Sequence, residues 1–359
     1  MFCEFCNIKL QNIKTSFPEF NHLNFKTLKN NKVINYCRKC NIIFNKKKNI
    51  NNFFSKKNYY QKNKISHKVF INNKFEFRES LIFNAIKSNL IKKKSLKILD
   101  VGCGNGKLLK IIKKKEKLKI NLKLYGIDKN NYFKKFFTGK NFFFFNDLFK
   151  IKENKFDMIT LSHSIYYLDN LKKYLKKLIS LLNQDGIIVI VLNNLNKNPY
   201  YLLMGDQRYT FTPKSILNLF KLSGFSFKPI KIKQLKRELI FVVKKAKIIK
   251  AKKIIKSNSL KKILQKIYII RNKIQNLKIS QFHILGTKVA AAAIDEFSKL
   301  KTTGFIDENK DNSKTLFRKK KVSHPNDLTI KDYTIVSMYK DTKNLNKIKK
   351  KFKGTFINL

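Results

Sequence analysis

Tryptophan is absent, acidic side chains number 22 against 80 Lys and Arg, and the 359 residues hold only 5 cysteines, 5 prolines and 11 glycines. So little Gly and Pro excludes a collagen-like chain, and so little Cys excludes a disulfide scaffold. No stretch reaches the ~18 uninterrupted apolar residues that a membrane-crossing helix needs. The opening MFCEFCNIKL has no cationic segment ahead of an apolar core, so a cytoplasmic protein with no membrane span is expected. A reducing compartment makes metal ligation a better reading of paired cysteines than a disulfide.

Hydrophobic residues make up 43% of the chain and aromatics 13%, mostly 32 Phe, enough to bury a sizeable core. At roughly 150 residues per domain the length suggests two or three domains. The formal charge is +58, yet the excess is nearly all Lys beside abundant Asn, Ile and Phe, which reads as drift toward A/T-rich codons. Arginine, whose planar fork reads guanine and clamps phosphate, occurs only at Arg38, Arg78, Arg208, Arg237, Arg271 and Arg318. Specific nucleic-acid binding is therefore not expected.

Four of the five cysteines form two pairs, Cys3-x-x-Cys6 and Cys37-x-x-Cys40. A two-residue gap lets two thiolates converge on one ion, and two such turns complete the four-thiolate shell that structural zinc prefers. Closed coordination leaves no position for a substrate, so Zn2+ is read as structural. The expected organisation is a zinc-binding ribbon over 1–48, with a polar linker over 49–78 containing Tyr59 and Tyr60. A domain over 79–244 follows, then a Lys-rich helical connector over 245–280 and a small Rossmann-like α/β unit over 281–359 closed by a carboxy-terminal helix. Loss of a cysteine ligand would then unfold the first ~45 residues alone. Within 79–244, apolar runs at 96–101, 122–127, 142–145, 156–161 and 186–192 alternate with helical patterns at 107–115 and 169–182. That series predicts an α/β fold with a Rossmann-like, doubly wound parallel sheet. A helix over 213–222 and an antiparallel hairpin near 225–232 and 238–243 finish its edge.

The sharpest motif is Ile98-Leu-Asp100-Val-Gly102-Cys103-Gly104-Asn-Gly106, between a strand and a helix, where glycines let backbone approach a ligand closely. With the acid ahead of the first glycine, it resembles motif I of class I S-adenosylmethionine-dependent methyltransferases. The resemblance spans roughly 79–244 and implies S-adenosyl-L-methionine as cofactor. It assigns Asp100, Gly102, Gly104 and Gly106 to the cofactor turn and Asp128 to the ribose hydroxyls. Asn146 and Asp147 match the adenine-contacting position. NAD is the rival cofactor, because dinucleotide folds share the ribose acid; a carboxylate beside the turn suits a cationic sulfonium better than a diphosphate. Asp157 and Gly186 match structural positions, and Cys103 reads as packing.

Leu161-Ser-His163-Ser-Ile-Tyr166-Tyr167-Leu-Asp169 resembles the family segment S-H-V-L-E-H-x-x-D, with two tyrosines in place of Glu-His. His163 is the first candidate base and Tyr167 the second, with Tyr166 beside them; the alternative for His163 is simple packing. Asp206, Arg208 and Tyr209 precede a segment resembling F-T-P-x-S-L, and they offer a carboxylate, a guanidinium and a phenol to a substrate. Alternatively, Arg208 pairs with Asp206 on the surface.

The order of parts is similar to that of deoxysugar C-methyltransferases. This resemblance implies methylation of a small-molecule substrate, a nucleotide-linked sugar or another surface-polysaccharide precursor. Two other classes stay open: an RNA or protein methyltransferase using the basic surface, and a non-catalytic scaffold built on the same fold. Neither the acceptor atom nor the oligomeric state can be read from the sequence.

Overall fold

The structure, a computed structural model, describes residues 1–21, 24–45, 68–71, 74–90, 94–115, 121–152, 155–245, 254–255, 257–299, 301–309, 312–327, 334–337 and 355–359. The chain packs as two compact units. One holds 1–13, 34–197 and 207–257; the other holds 14–33, 198–206 and 258–359.

The amino-terminal segment contributes β1 (Gln11–Phe20), β2 (Thr27–Tyr36) and β3 (Ile43–Phe44), followed by the hairpin β4 (Lys68–Ile71) and β5 (Lys74–Phe77) and by α1 (Arg78–Ile86). Then come β6 (Ser95–Val101), α2 (Lys107–Lys115), β7 (Asn121–Ile127), β8 (Phe142–Phe145), β9 (Phe156–Ser162), α3 (Leu171–Leu181) and β10 (Leu182–Asn193). After β11 (Tyr209–Thr210) the first unit ends with α4 (Pro213–Leu222), β12 (Phe225–Ile230) and β13 (Glu238–Lys245).

Its main sheet has seven strands in the order β12-β13-β10-β9-β6-β7-β8. Neighbours from β10 to β8 run parallel, while β13 pairs antiparallel with both β10 and β12. The central strands are apolar on both faces, as a sheet covered on two sides requires. Leu99, Ile159, Ile188 and Ile190 face a core shared with Leu171, Leu175 and Leu178 of α3 and Leu219 and Phe220 of α4. Their sequence neighbours Ile98, Met158, Val189 and Val191 meet Ile82, Phe83 and Ile86 of α1 and Leu108, Leu109 and Ile112 of α2.

One detail departs from the sequence expectation. Strand β10 begins at Leu182, directly after α3, and its pairing with β9 shifts register between Leu182 and Ile187. Gly186 sits in that irregularity, where a Cβ would meet the Leu182 side chain and the Phe156 carbonyl at 2.8 Å. Among the described residues, the connections on either side of β8 carry the short 3-10 turns Asn131–Phe136 and Leu148–Lys150, and β8 is a half-buried edge strand.

The second unit has α5 (Ser259–Gln275), β14 (Phe282–Leu285), α6 (Val289–Phe297), β15 (Thr302–Ile306), β16 (Leu316–Phe317), β17 (Lys320–Ser323), β18 (Thr334–Ser337) and β19 (Thr355–Asn358). Its sheet order is β16-β17-β15-β14-β18-β19. Helix α5 buries Leu260, Ile263, Ile267 and Ile274 at helical spacing, and the alanines of α6 pack tightly. Asp295 of α6 is held by Arg318 at 2.7 Å and Lys320 at 2.6 Å. The expected closing helix, and Ile248 and Ile249 of the expected connector, lie outside the described residues.

Helix α4 starts on a full capping box: Thr212 accepts from the Ser215 amide at 3.1 Å, Ser215 accepts from the Thr212 amide at 2.8 Å, and Pro213 occupies the first turn. Thr212→Ala is expected to cost ~1 kcal/mol. Thermal unfolding should show a loss of about 2–4 °C.

Candidate functional site

The turn that links β6 to α2 is left-handed at all three glycines, with φ of +78° at Gly102, +52° at Gly104 and +70° at Gly106. A Cβ on Gly102 would come within 2.4 Å of the Ser164 Cβ, whereas one on Gly104 would meet nothing within 4 Å. The turn is thus pinned on one side and open on the other. Parallel pairing sets Asp100 opposite Gly126 and Val101 opposite Ile127, which brings the end of β7 alongside. There Asp128 accepts from the Gly104 amide at 3.0 Å and the Asn130 amide at 2.9 Å. A carboxylate has about four acceptor positions, so about two remain. Burial raises the Asp128 carboxyl to about 6 against those two amides.

Asp100 lies under the turn, 4% exposed, and accepts from Thr160 Oγ1 at 2.6 Å. Burial lifts its carboxyl to about 7; Thr160 opposes the rise, while Glu79 and Asp128 add to it. Asn146 is exposed at the end of β8, and Asp147 caps the following 3-10 turn through the Phe149 amide at 3.0 Å. Cys103 is buried against Gly126, whose Cβ would approach its Sγ to 2.7 Å. Burial pushes that thiol far up, which suits packing. Asp157 accepts from the Lys97 amide and from Asn183, tying β9 to β6 and to the start of β10.

His163 follows β9 in a left-handed conformation, φ +57°, with its amide on the Val191 carbonyl at 3.0 Å. Its Nε2 lies 3.5 Å from Glu238 Oε1. Tyr166 is buried; its hydroxyl accepts from the Asn193 amide, and its carbonyl from the Arg208 amide at 2.8 Å. Tyr167 is half-buried beside it. Arg208 pairs with Asp169 at 2.5 Å, and Lys129 holds the other Asp169 oxygen at 2.7 Å. Tyr209 is 4% exposed; its hydroxyl donates to the Asp169 carbonyl and accepts from the Leu171 amide, both at 3.3 Å. Asp206 falls in the second unit.

The four cysteine Sγ atoms all lie within 4.8 Å of one another, with Cys3–Cys40 at 3.6 Å, Cys6–Cys37 at 3.4 Å and Cys6–Cys40 at 3.2 Å. Tetrahedral zinc with bonds of about 2.3 Å puts thiolates about 3.8 Å apart, so donor set and size fit that ion. Each knuckle closes on an asparagine in the left-handed region, Asn7 at φ +55° and Asn41 at +61°. The Asn7 amide bonds the Cys3 carbonyl and the Asn41 amide bonds the Cys37 carbonyl, both at 2.8 Å. The repeat Cys-x-x-Cys-Asn-Ile carries that signal, which the cysteine spacing alone misses. Thr160, Arg78 and Glu238 were missed as well, because each reaches the site from a different strand or helix.

Asp100 yields a pH test. Folded, it titrates near 7, and an unfolded Asp near 3.9. The folded state therefore holds the proton more tightly, and stability falls as pH rises from about 4 to about 7. Asp100→Asn keeps an acceptor for Thr160 and carries no charge. At pH 8 its unfolding transition should lie above the parent's by at least ~1 kcal/mol. The gap should narrow toward pH 4, and equal transitions at pH 8 would refute the buried charge.

Residues 75–227 match the family model described as a methyltransferase domain. Among curated proteins, none matches the chain. Solved structures that resemble it include an S-adenosylmethionine-dependent methyltransferase from Clostridium acetobutylicum, 16% identical over 47% of this chain and 90% of that one, TM-score 0.36. A plantazolicin methyltransferase in complex with SAH is 18% identical over 46% and 82%, TM-score 0.38. Human N-acetylserotonin methyltransferase in complex with SAM is 18% identical over 47% and 52%, TM-score 0.39. The acid-led glycine turn at the carboxyl end of β6 lies inside the family match, and residues 75–227 are a methyltransferase domain.

Proposed function

We propose that this methyltransferase acts on a small metabolite, a nucleotide-linked sugar or another precursor of surface polysaccharide, and that Cys3, Cys6, Cys37 and Cys40 hold a structural zinc ion. The observation that carries the cofactor assignment is the left-handed glycine turn joined to Asp128 through the Gly104 amide. The sugar reading is supported by the resemblance to deoxysugar C-methyltransferases and by the four-thiolate cluster beside the domain.

S-adenosyl-L-methionine supplies an electrophilic methyl group when bound. Gly102, Gly104 and Gly106 form its cradle, and Asp128 takes the ribose hydroxyls with its remaining acceptor positions. Asp100 places a carboxyl group beneath the cationic end, and Asn146 and Asp147 border the adenine. His163 takes the proton from the methyl acceptor, with Tyr167 as the second candidate. Tyr166 holds the turn to β10 through the Asn193 amide. Arg208, in place beside Asp169, offers a charged group to a substrate phosphate or carboxylate. Alignment and exclusion of water lower the barrier, and a positioned base adds ~10²–10⁴ in rate.

Incubation with labelled cofactor and a panel of nucleotide sugars, with the product identified by mass spectrometry, tests the reading. Label on RNA or protein alone would overturn the substrate class. Asp128→Ala should weaken cofactor binding in calorimetry by ~2–3 kcal/mol, the value of hydrogen bonds to a charged group. The purified protein should contain one equivalent of zinc and Cys37→Ser none. Because Cys3, Cys37 and Cys40 lie in the same core as α3 and α4, that variant should also lower the melting transition of the methyltransferase domain. Stoichiometric zinc in Cys37→Ser would remove the four-thiolate site.

A further inference from the structure

His163 has an ionic partner that no local motif supplies. Glu238 is the first residue of β13 and pairs across the sheet with Asn193, the last residue of β10. The turn bearing His163 hangs on the same end of β10, through the His163 amide on the Val191 carbonyl and through the Asn193 amide on the Tyr166 hydroxyl. Both side chains are therefore referred to one strand end, and Nε2 of His163 stands 3.5 Å from Oε1 of Glu238. Arg78, at the start of α1, reaches the same Oε1 at 3.5 Å. Nε2 is buried, while the His163 side chain as a whole keeps 22% exposure.

We propose that Glu238 is the positioning residue for His163: held by Arg78 at the same oxygen, its carboxylate fixes the proton on Nε2, leaves the Nδ1 lone pair for the acceptor, and balances the charge the ring gains. This rests on His163 being the base. In the step concerned, the acceptor's proton moves to Nδ1, the electron pair of the broken bond forms the new bond to the methyl carbon, and the sulfonium leaves as a neutral thioether. The imidazolium so formed faces a carboxylate, which stabilises it. Glu238 is itself buried, which would raise its carboxyl, yet His163 and Arg78 outweigh burial and hold it below the usual range. Glu79 acts in the opposite sense from α1, and Asp100 on β6 feels Glu79 in turn. Tyr166 lies against the imidazole with ring centroids 6.5 Å apart. A left-handed histidine is a costly conformation that persists only where its surroundings demand it, and this arrangement is such a demand.

With 5 histidines in the chain, proton NMR can follow each ring, and the His163 signal is the one that disappears in His163→Gln. Glu238→Gln should move the His163 signal's pH response down, and Arg78→Gln, which frees the carboxylate, should move it up. Glu238→Asp keeps the charge and should restore most of the shift, which covers the case in which the glutamine variant fails to fold. In turnover assays, the acidic limb of the kcat profile should move down with Glu238→Gln, with kcat reduced on the order of tenfold and the cofactor KM nearly unchanged. Unchanged His163 titration in both Glu238→Gln and Arg78→Gln overturns the pairing itself. A titration that moves while the rate profile stays fixed overturns His163 as the base, and the positioning role with it.

Discussion

One hydrogen bond, from the Gly104 amide to the Asp128 carboxylate, ties together everything the site needs. It joins the end of β6 to the end of β7, and it forms only because the parallel register places Val101 beside Ile127 and because Gly104 turns left-handed. A residue with a Cβ would resist that backbone conformation even where space is open. Asp128 in turn is held at the edge of solvent with part of its acceptor capacity in use. The glycine turn, the sheet and the acid are therefore one device: remove the register and the acid no longer meets the turn.

Much of this was legible in the sequence because it depends on local pattern. Helix α2 falls on the expected residues, helix α4 likewise, and the antiparallel hairpin of β12 and β13 lies at the sheet edge as expected. The early start of β10 was hidden, since Leu182 serves as the last apolar position of a helix and the first of a strand. The Phe run of β8 is a strand at 142–145, as its apolar pattern implied, and lies half-buried at the sheet edge.

At the site, residues named by motif were found at the carboxyl ends of the strands, but their partners were not foreseeable. Thr160 meets Asp100 across neighbouring strands, and Glu238 meets His163 across two. Such contacts depend on strand order, which a single sequence does not encode locally. Asp206, Arg208 and Tyr209 are near neighbours in sequence with different surroundings: Tyr209 is buried and pairs with Phe44 of β3, Arg208 is bound to Asp169, and Asp206 falls in the second unit. The cysteine ribbon likewise looked autonomous from its spacing, yet Ile43 and Phe44 pair with Thr210 and Tyr209, and Asn218 of α4 donates to the Cys40 carbonyl at 3.2 Å.

The first unit is assembled from three separated stretches of chain, 1–13, 34–197 and 207–257. During synthesis from the amino terminus the cysteine knuckles emerge long before β11, α4 and the backbone at Ile255 that complete their surroundings. The knuckles therefore emerge incomplete, and they lack their final neighbours until some two hundred later residues have been made.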